Sequence, residues 1–256
     1  AALHVSGVIR SDTQYDIASS RVLAIQGTEN LFVGALAGTG NTNGGWNTFV
    51  GHGAGTANTT GHGNTFIGRA AGSSNTTAGF NTFIGQSAGS ANTGIDNTFI
   101  GAIAGTANTT AGSNTFIGSL AGIANTTGGV NTFIGAQAGR ENTSANANTF
   151  IGSAAGYNNT TGAENTFIGA STGGSNTLGE RNTFVGRGAG QTNDVGINNT
   201  FVGTSAGLAN VYGFNNTFIG ESAGVGNTFG IHNTFVGREA GVLNTTGGGN
   251  ALLGYW

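Results

Sequence analysis

The pentapeptide Asn-Thr-Phe-Ile/Val-Gly recurs with its Asn at positions 47, 64, 81, 97, 114, 131, 148, 165, 182, 199, 216 and 233. Degenerate copies extend the series at both ends, as Asn30-Leu31-Phe32-Val33-Gly34 and Asn250-Ala251-Leu252-Leu253-Gly254. Successive Asn positions differ by 17 throughout, except that Asn97 follows Asn81 by 16. So short a period overrides the one or two globular domains that 256 residues would otherwise suggest, because each repeat packs mainly on its neighbours. The chain divides into a lead-in or N-terminal cap, residues 1–29, and a repeat region, residues 30–256.

Slots are counted from zero at the first Asn of each unit. In the unit that begins at Asn47, Asn47, Thr48, Phe49, Val50 and Gly51 fill slots 0 to 4. Ala54 and Gly55 follow at slots 7 and 8, and Asn58 and Thr59 at slots 11 and 12. Phe and a β-branched residue at slots 2 and 3 favour a strand, whereas Gly at slots 4 and 8 and Asn at slot 11 favour turns. A coil of about 17 residues has room for a short strand, a corner, a second extended piece around the slot 7 Ala and a return. The expected fold is all-β, a parallel β-solenoid or β-roll with about 17 residues per coil.

Stacked coils turn each slot into a column of like residues along the axis. The Phe of slot 2 forms an aromatic ladder and the expected core. The Asn columns of slots 0 and 11 can bond amide to amide and satisfy turn backbone, which accounts for a recurrent polar residue without any catalytic role. Slot 3 is Ile, Val or Leu in every unit, and adjacent strand residues point to opposite faces. With Phe inside, slot 3 makes an apolar stripe outside, which a second chain has to cover; a broad coil holding both columns on different inner walls is the alternative. Closed symmetry is the common way to cover such a stripe, and a homotrimer buries three of them on one axis.

Composition narrows the partners. The 51 Gly residues come with no Pro, no Cys and no Met, and the seven basic residues are all Arg. Without Pro or a Gly-X-Y period this is not collagen. Charged residues are 7% and the net charge is −3, so no basic stripe exists to meet a phosphate backbone, and no nucleic-acid partner is expected. No apolar run reaches the roughly 18 residues of a spanning helix, so no membrane insertion is expected. The start at Ala1, in mid-pattern, suggests a processed chain or a segment of a longer one.

Units such as Asn-Thr-Phe-Ile-Gly-x-x-Ala-Gly-x-x-Asn-Thr-Thr-Gly resemble the Asn/Gly-rich repeats of phage and bacterial tail-fibre-like proteins, many of which carry a C-terminal self-cleaving intramolecular chaperone. The lead-in from Ser6 to Ile17, followed by Arg21-Val22-Leu23, is similar to the segment that precedes those repeats. More distantly, the unit is similar to the Asn-Ser-Val-Ala-Ile-Gly repeat in the heads of trimeric autotransporter adhesins. That second resemblance implies a left-handed roll and a trimer. The coils here are longer, Phe replaces a small core residue and no stalk heptad is present, so outer-membrane attachment does not carry over.

No constellation points to catalysis or to a cofactor. The carboxylates scatter over unlike slots, among them Asp96 and Glu180 at slot 15 and Glu164 at slot 16. Glu164 with Arg181, and Glu221 with Arg238, share a column one coil apart and are expected to form ion pairs. His4, His52, His62 and His232 occupy no common slot, so no metal column is expected. Sequons occur at slot 11 in Asn58, Asn75, Asn108, Asn125, Asn142, Asn159 and Asn244, where a turn makes glycosylation sterically open, and outside that slot at Asn158, Asn198 and Asn215. Loop aromatics, chiefly Trp46, Tyr157 and Tyr212, can stack on sugars or cover neighbouring chains.

The function expected from these features is a non-enzymatic structural segment of an extracellular fibre or adhesin, on a cell surface or virion, contacting glycans through its variable loops and able to add end to end into filaments. An ice-binding solenoid, suggested by the Thr of slots 1 and 12, and a polysaccharide-degrading tail spike are the alternatives.

Overall fold

The computed structural model describes residues 14–17, 20–24 and 29–255. His4 and most of the lead-in, including Ser6 to Thr13, lie outside them. β1 (Gln14–Ile17) and β2 (Ser20–Ala24) form an antiparallel hairpin, and β2 pairs antiparallel with β3 (Leu31–Val33) across the first edge of the stack. From β3 to β16 (Ala251–Leu253) every strand is three residues, slots 1 to 3, and each pairs in parallel with the next. From Thr48–Val50 to Thr234–Val236, Thr faces Thr and Phe faces Phe at each step, as where Thr149, Phe150 and Ile151 meet Thr166, Phe167 and Ile168; at the two ends Leu31 faces Thr48 and Leu252 faces Phe235. The expected parallel solenoid, repeating about every 17 residues, is therefore present and is built on one sheet.

The coil from Asn114 to Val130 shows why the chain closes. Thr115–Ile117 is the strand, with Phe116 inside and its neighbours half-buried outside. Gly118 then turns at φ 138°, a region that side chains rarely enter, and a Cβ there would lie 2.4 Å from the Gly135 carbonyl oxygen. Leu120, Gly122 and Val130 all take left-handed φ values of 56 to 62°. The same conformation recurs at slots 6, 8 and 16 of coil after coil. Slots 5 to 10 are consequently one continuous turn, and the second extended piece expected around slot 7 does not form. Left-handed residues on both sides of the slot 7 Ala fold the chain too tightly for a strand.

Hydrogen bonds between coils continue through the turns. Gly122 N–H donates to the Ala138 carbonyl at 3.0 Å, Thr126 N–H to Thr143 at 2.9 Å and Val130 N–H to Gly112 at 3.2 Å. The interior has two halves. On one side the slot 2 Phe rings, all 0% exposed, stack with centroids 4.7 to 4.9 Å apart and planes within 11° of parallel, beside the buried Ala of slot 7.

On the other side lie the Asn columns. Asn114 Oδ1 accepts the backbone N–H of Asn131 at 2.9 Å, and Asn125 Nδ2 donates to Asn108 Oδ1 at 2.7 Å. The amides of Asn114 and Asn125 both donate to the Gly128 carbonyl, at 3.0 and 2.9 Å. The slot 14 carbonyl is thus the junction that ties the two polar ladders together, a role the repeat pattern alone did not reveal.

The 16-residue coil keeps its strand register, with Phe83 on Phe99 at 4.9 Å, and absorbs the missing residue in the outer turn after Asn92. Asp96, counted as slot 15, takes the left-handed position of slot 16 with φ 59°. The cost appears one step away. Asn92 Nδ2 turns to the Gly94 carbonyl at 2.7 Å, and Asn75 Oδ1 is left buried without a hydrogen-bond partner.

Candidate interaction surfaces

The fully buried Phe column sends its strand neighbours outward. Slot 3 lies on the exterior along the whole stack, with Ile67, Ile168 and Ile219 at 37 to 40% exposed and most of the others half-buried. The broad coil with two inner walls is not what forms. Slot 1 Thr shares that outer face, since residues two apart on a strand project to the same side. Among the described residues no hydrogen bond engages the slot 1 hydroxyls, whereas slot 12 hydroxyls are spent between coils, as from Thr126 to the Thr143 carbonyl at 3.0 Å.

The slot 11 sequons need correction. Asn58, Asn75, Asn108, Asn125, Asn142 and Asn159 are fully buried, and their Nδ2 atoms donate along the ladder and to slot 14 carbonyls. A glycan on such a nitrogen would take one of the two hydrogens that make these bonds and has no room inside the coil. Asn244, in the last complete coil, is part-buried and makes the same two bonds, to Asn227 Oδ1 and to the Gly247 carbonyl. The Asn side is a core wall, and the turn lies outside it. Exposed sequon asparagines occur instead at slots 10 and 16, in Asn158, Asn198 and Asn215.

The three aromatics named above have unlike settings. The Tyr157 ring lies under the Arg140 guanidinium at 5.1 Å, and its hydroxyl bonds the same side chain. Tyr212 stacks on Phe229 at 5.1 Å. One face of each of these rings is already covered. Trp46 is 61% exposed, with Nε1 donating to Glu29 at 2.8 Å and the ring edge-on to His62, which in turn meets Phe80 at 5.0 Å. Gly63 stands between Trp46 and Phe80 in their slot 16 column, and a Cβ there would lie 3.0 Å from the Phe80 ring.

Of the two expected ion pairs, Arg238 with Glu221 forms at 3.6 Å, and Arg238 also meets Glu239 at 3.0 Å. Glu164 with Arg181 does not. Arg181 turns to its sequence neighbour Glu180 at 3.0 Å and up the column to Asn198 Oδ1 at 2.9 Å, leaving Glu164 exposed one coil below. A shallow depression of about 520 Å³ between slots 10 and 12 contains Glu141 and Asp194. They lie three coils apart, about 14 Å at the strand spacing, against the roughly 5 to 9.5 Å that glycoside hydrolysis requires of its carboxyl pair. Glu141 is further engaged by Arg140 at 3.3 Å, and Asp194 accepts from Thr177.

Among the described residues no helix is long and apolar enough to cross a membrane, and no group of three or more His, Cys, Asp or Glu is placed to hold a metal ion. Fold and surface together define a single-sheet parallel β-solenoid with an apolar outer column. Comparisons with protein-family models, curated proteins and solved structures gave no match.

Proposed function

We propose that the chain is a structural fibre segment, a rigid left-handed rod that associates with copies of itself as a homotrimer and presents variable loops on an extracellular cell or particle surface. One observation carries this reading: slot 3 is apolar in every coil and faces outward, so the rod bears an uncharged stripe along its whole length. Monomers rarely leave a contiguous apolar patch of that extent in water. The proposed role is non-enzymatic, with Trp46 as the loop aromatic best placed to meet a glycan. Replacing Ile117, Ile151, Val185 and Ile219 together by Asn, one in every second coil, tests the stripe: the expected product is folded, with unchanged circular dichroism, and has a mass near the 25.2 kDa of one chain. A variant that assembles as the parent does would remove the stripe from the interface.

Ice binding is supported by a specific observation of its own, because the unbonded slot 1 hydroxyls and the slot 3 methyls form two regular columns on one flat face. That reading requires the face to be free in solution. Thermal hysteresis that disappears in Thr132→Tyr would favour it, and its absence from the parent chain would end it.

A further inference from the structure

Where neighbouring chains of a three-fold assembly touch away from the axis, two different faces meet, so slot 3 residues off that axis face another surface of the next chain. The corner at slots 13 to 15 supplies one in the later coils. Slot 13 carries Val195, Tyr212 and Phe229 and slot 15 carries Ile197, Phe214 and Ile231, all half-buried or exposed, on either side of the buried slot 14 glycines Gly196, Gly213 and Gly230, so the two apolar rows flank a groove. The same slots in earlier coils carry small or polar residues, such as Thr127 with Gly129 and Thr161 with Ala163. The floor stays open because it cannot take a side chain: a Cβ on Gly213 would stand 2.1 Å from Asn210 Oδ1.

The groove's own geometry selects its occupant. Tyr212 and Phe229 stack with planes 9° apart, so their facing surfaces are spent on each other and their edges line the groove. Aliphatic side chains suit such a lining better than a sugar ring, which needs an open aromatic face. Neither the groove walls nor the slot 3 column carries a charge. The walls repeat at the coil spacing of about 4.8 Å, and a partner staying in step over several rows needs the same repeat. A helix, advancing about 1.5 Å per residue, does not have it. A second copy does.

We propose that Val185, Val202 and Ile219 of one chain seat in the groove between Val195, Tyr212 and Phe229 and Ile197, Phe214 and Ile231 of the next, making the contact heterologous. This rests on self-association through slot 3. The chain has no cysteine, so disulfide trapping reads cleanly. Two differently tagged chains, one carrying Phe214→Cys and the other Ile219→Cys, are co-expressed and oxidised; both sites are exposed, so neither change disturbs the core. The expected result is a mixed disulfide several-fold more abundant than the dimers formed by either variant alone. Efficient self-linking of Ile219→Cys alone, or an intact oligomer with no mixed disulfide, overturns the groove and leaves slot 3 association standing. A monomer by light scattering overturns both.

Discussion

Three slots of each coil share one left-handed backbone conformation, yet only slot 8 is Gly throughout, and space rather than φ decides this. Slot 6 holds Leu36, Ile103 and Gln137, and slot 16 holds Trp46, Val130 and Arg181, all at φ of 54 to 62°. At slot 8 a Cβ would lie 2.5 Å from the coil's own Phe ring, as Gly122 does against Phe116. Gly122→Ala and Gly188→Ala both incur the left-handed cost of about 1–2 kcal/mol. Gly122→Ala adds an overpacking cost of about 1–3 kcal/mol, because a Cβ on Gly188 at slot 6 meets nothing closer than Gln191 at 3.4 Å. Denaturant unfolding of both variants is expected to show that order; equal losses would mean that backbone angle alone fixes slot 8. The buried Asn columns permit a second test. In Asn125→Asp the new oxygen faces Asn108 Oδ1, 2.7 Å from the present nitrogen, so an acceptor meets an acceptor. Burial and that oxygen both raise the folded-state pKa above the unfolded value near 3.9. The folded state then holds the proton more tightly, so the variant is least destabilised below about pH 4 and loses stability as pH rises through the raised pKa. A pH-independent deficit would contradict the ladder.

At the scale of the coil, the repeat made the strand, the Phe core and the Asn ladders legible, because a side chain that must stack on its own copy cannot vary. The αL positions at slots 6 and 16 were hidden for the opposite reason. Their side chains are half-buried or exposed and vary from coil to coil, so a residue such as Val130 gives no hint of its φ of 59°. The Asn of slot 11 misled in another way: a residue common in turns and in sequons proved to be a wall of the core. Glu164 and Arg181 show the limit of column reasoning at the surface, where a long side chain has several partners within reach and exposed pairs contribute only about 0–1 kcal/mol. The 16-residue coil gives the clearest test at this scale. Inserting a Thr between Thr93 and Gly94 restores the usual Asn-Thr-Thr-Gly turn and gives Asn75 Oδ1 its donor. Relieving one buried unsatisfied acceptor is expected to raise stability by about 1–3 kcal/mol. A lower melting temperature would show that the short coil is better packed as it stands.

For the molecule as a whole, each strand touches only its sequential neighbours, so stability accumulates along the stack rather than around one centre. Thirteen steps of about 4.8 Å give a rod of about 60 Å. Its first edge is covered by the β1–β2 hairpin, while at the other end of the described coils Leu252 and Leu253 are exposed. The inner polar and aromatic ladders account for the rod as a single chain, and the outer Ile/Val column does not. Under the function proposed above, copies of this chain cover that column. Multi-angle light scattering of the unaltered chain across a dilution series decides this: the proposed homotrimer has a mass three times 25.2 kDa, and a folded species of 25.2 kDa at every concentration rules self-association out.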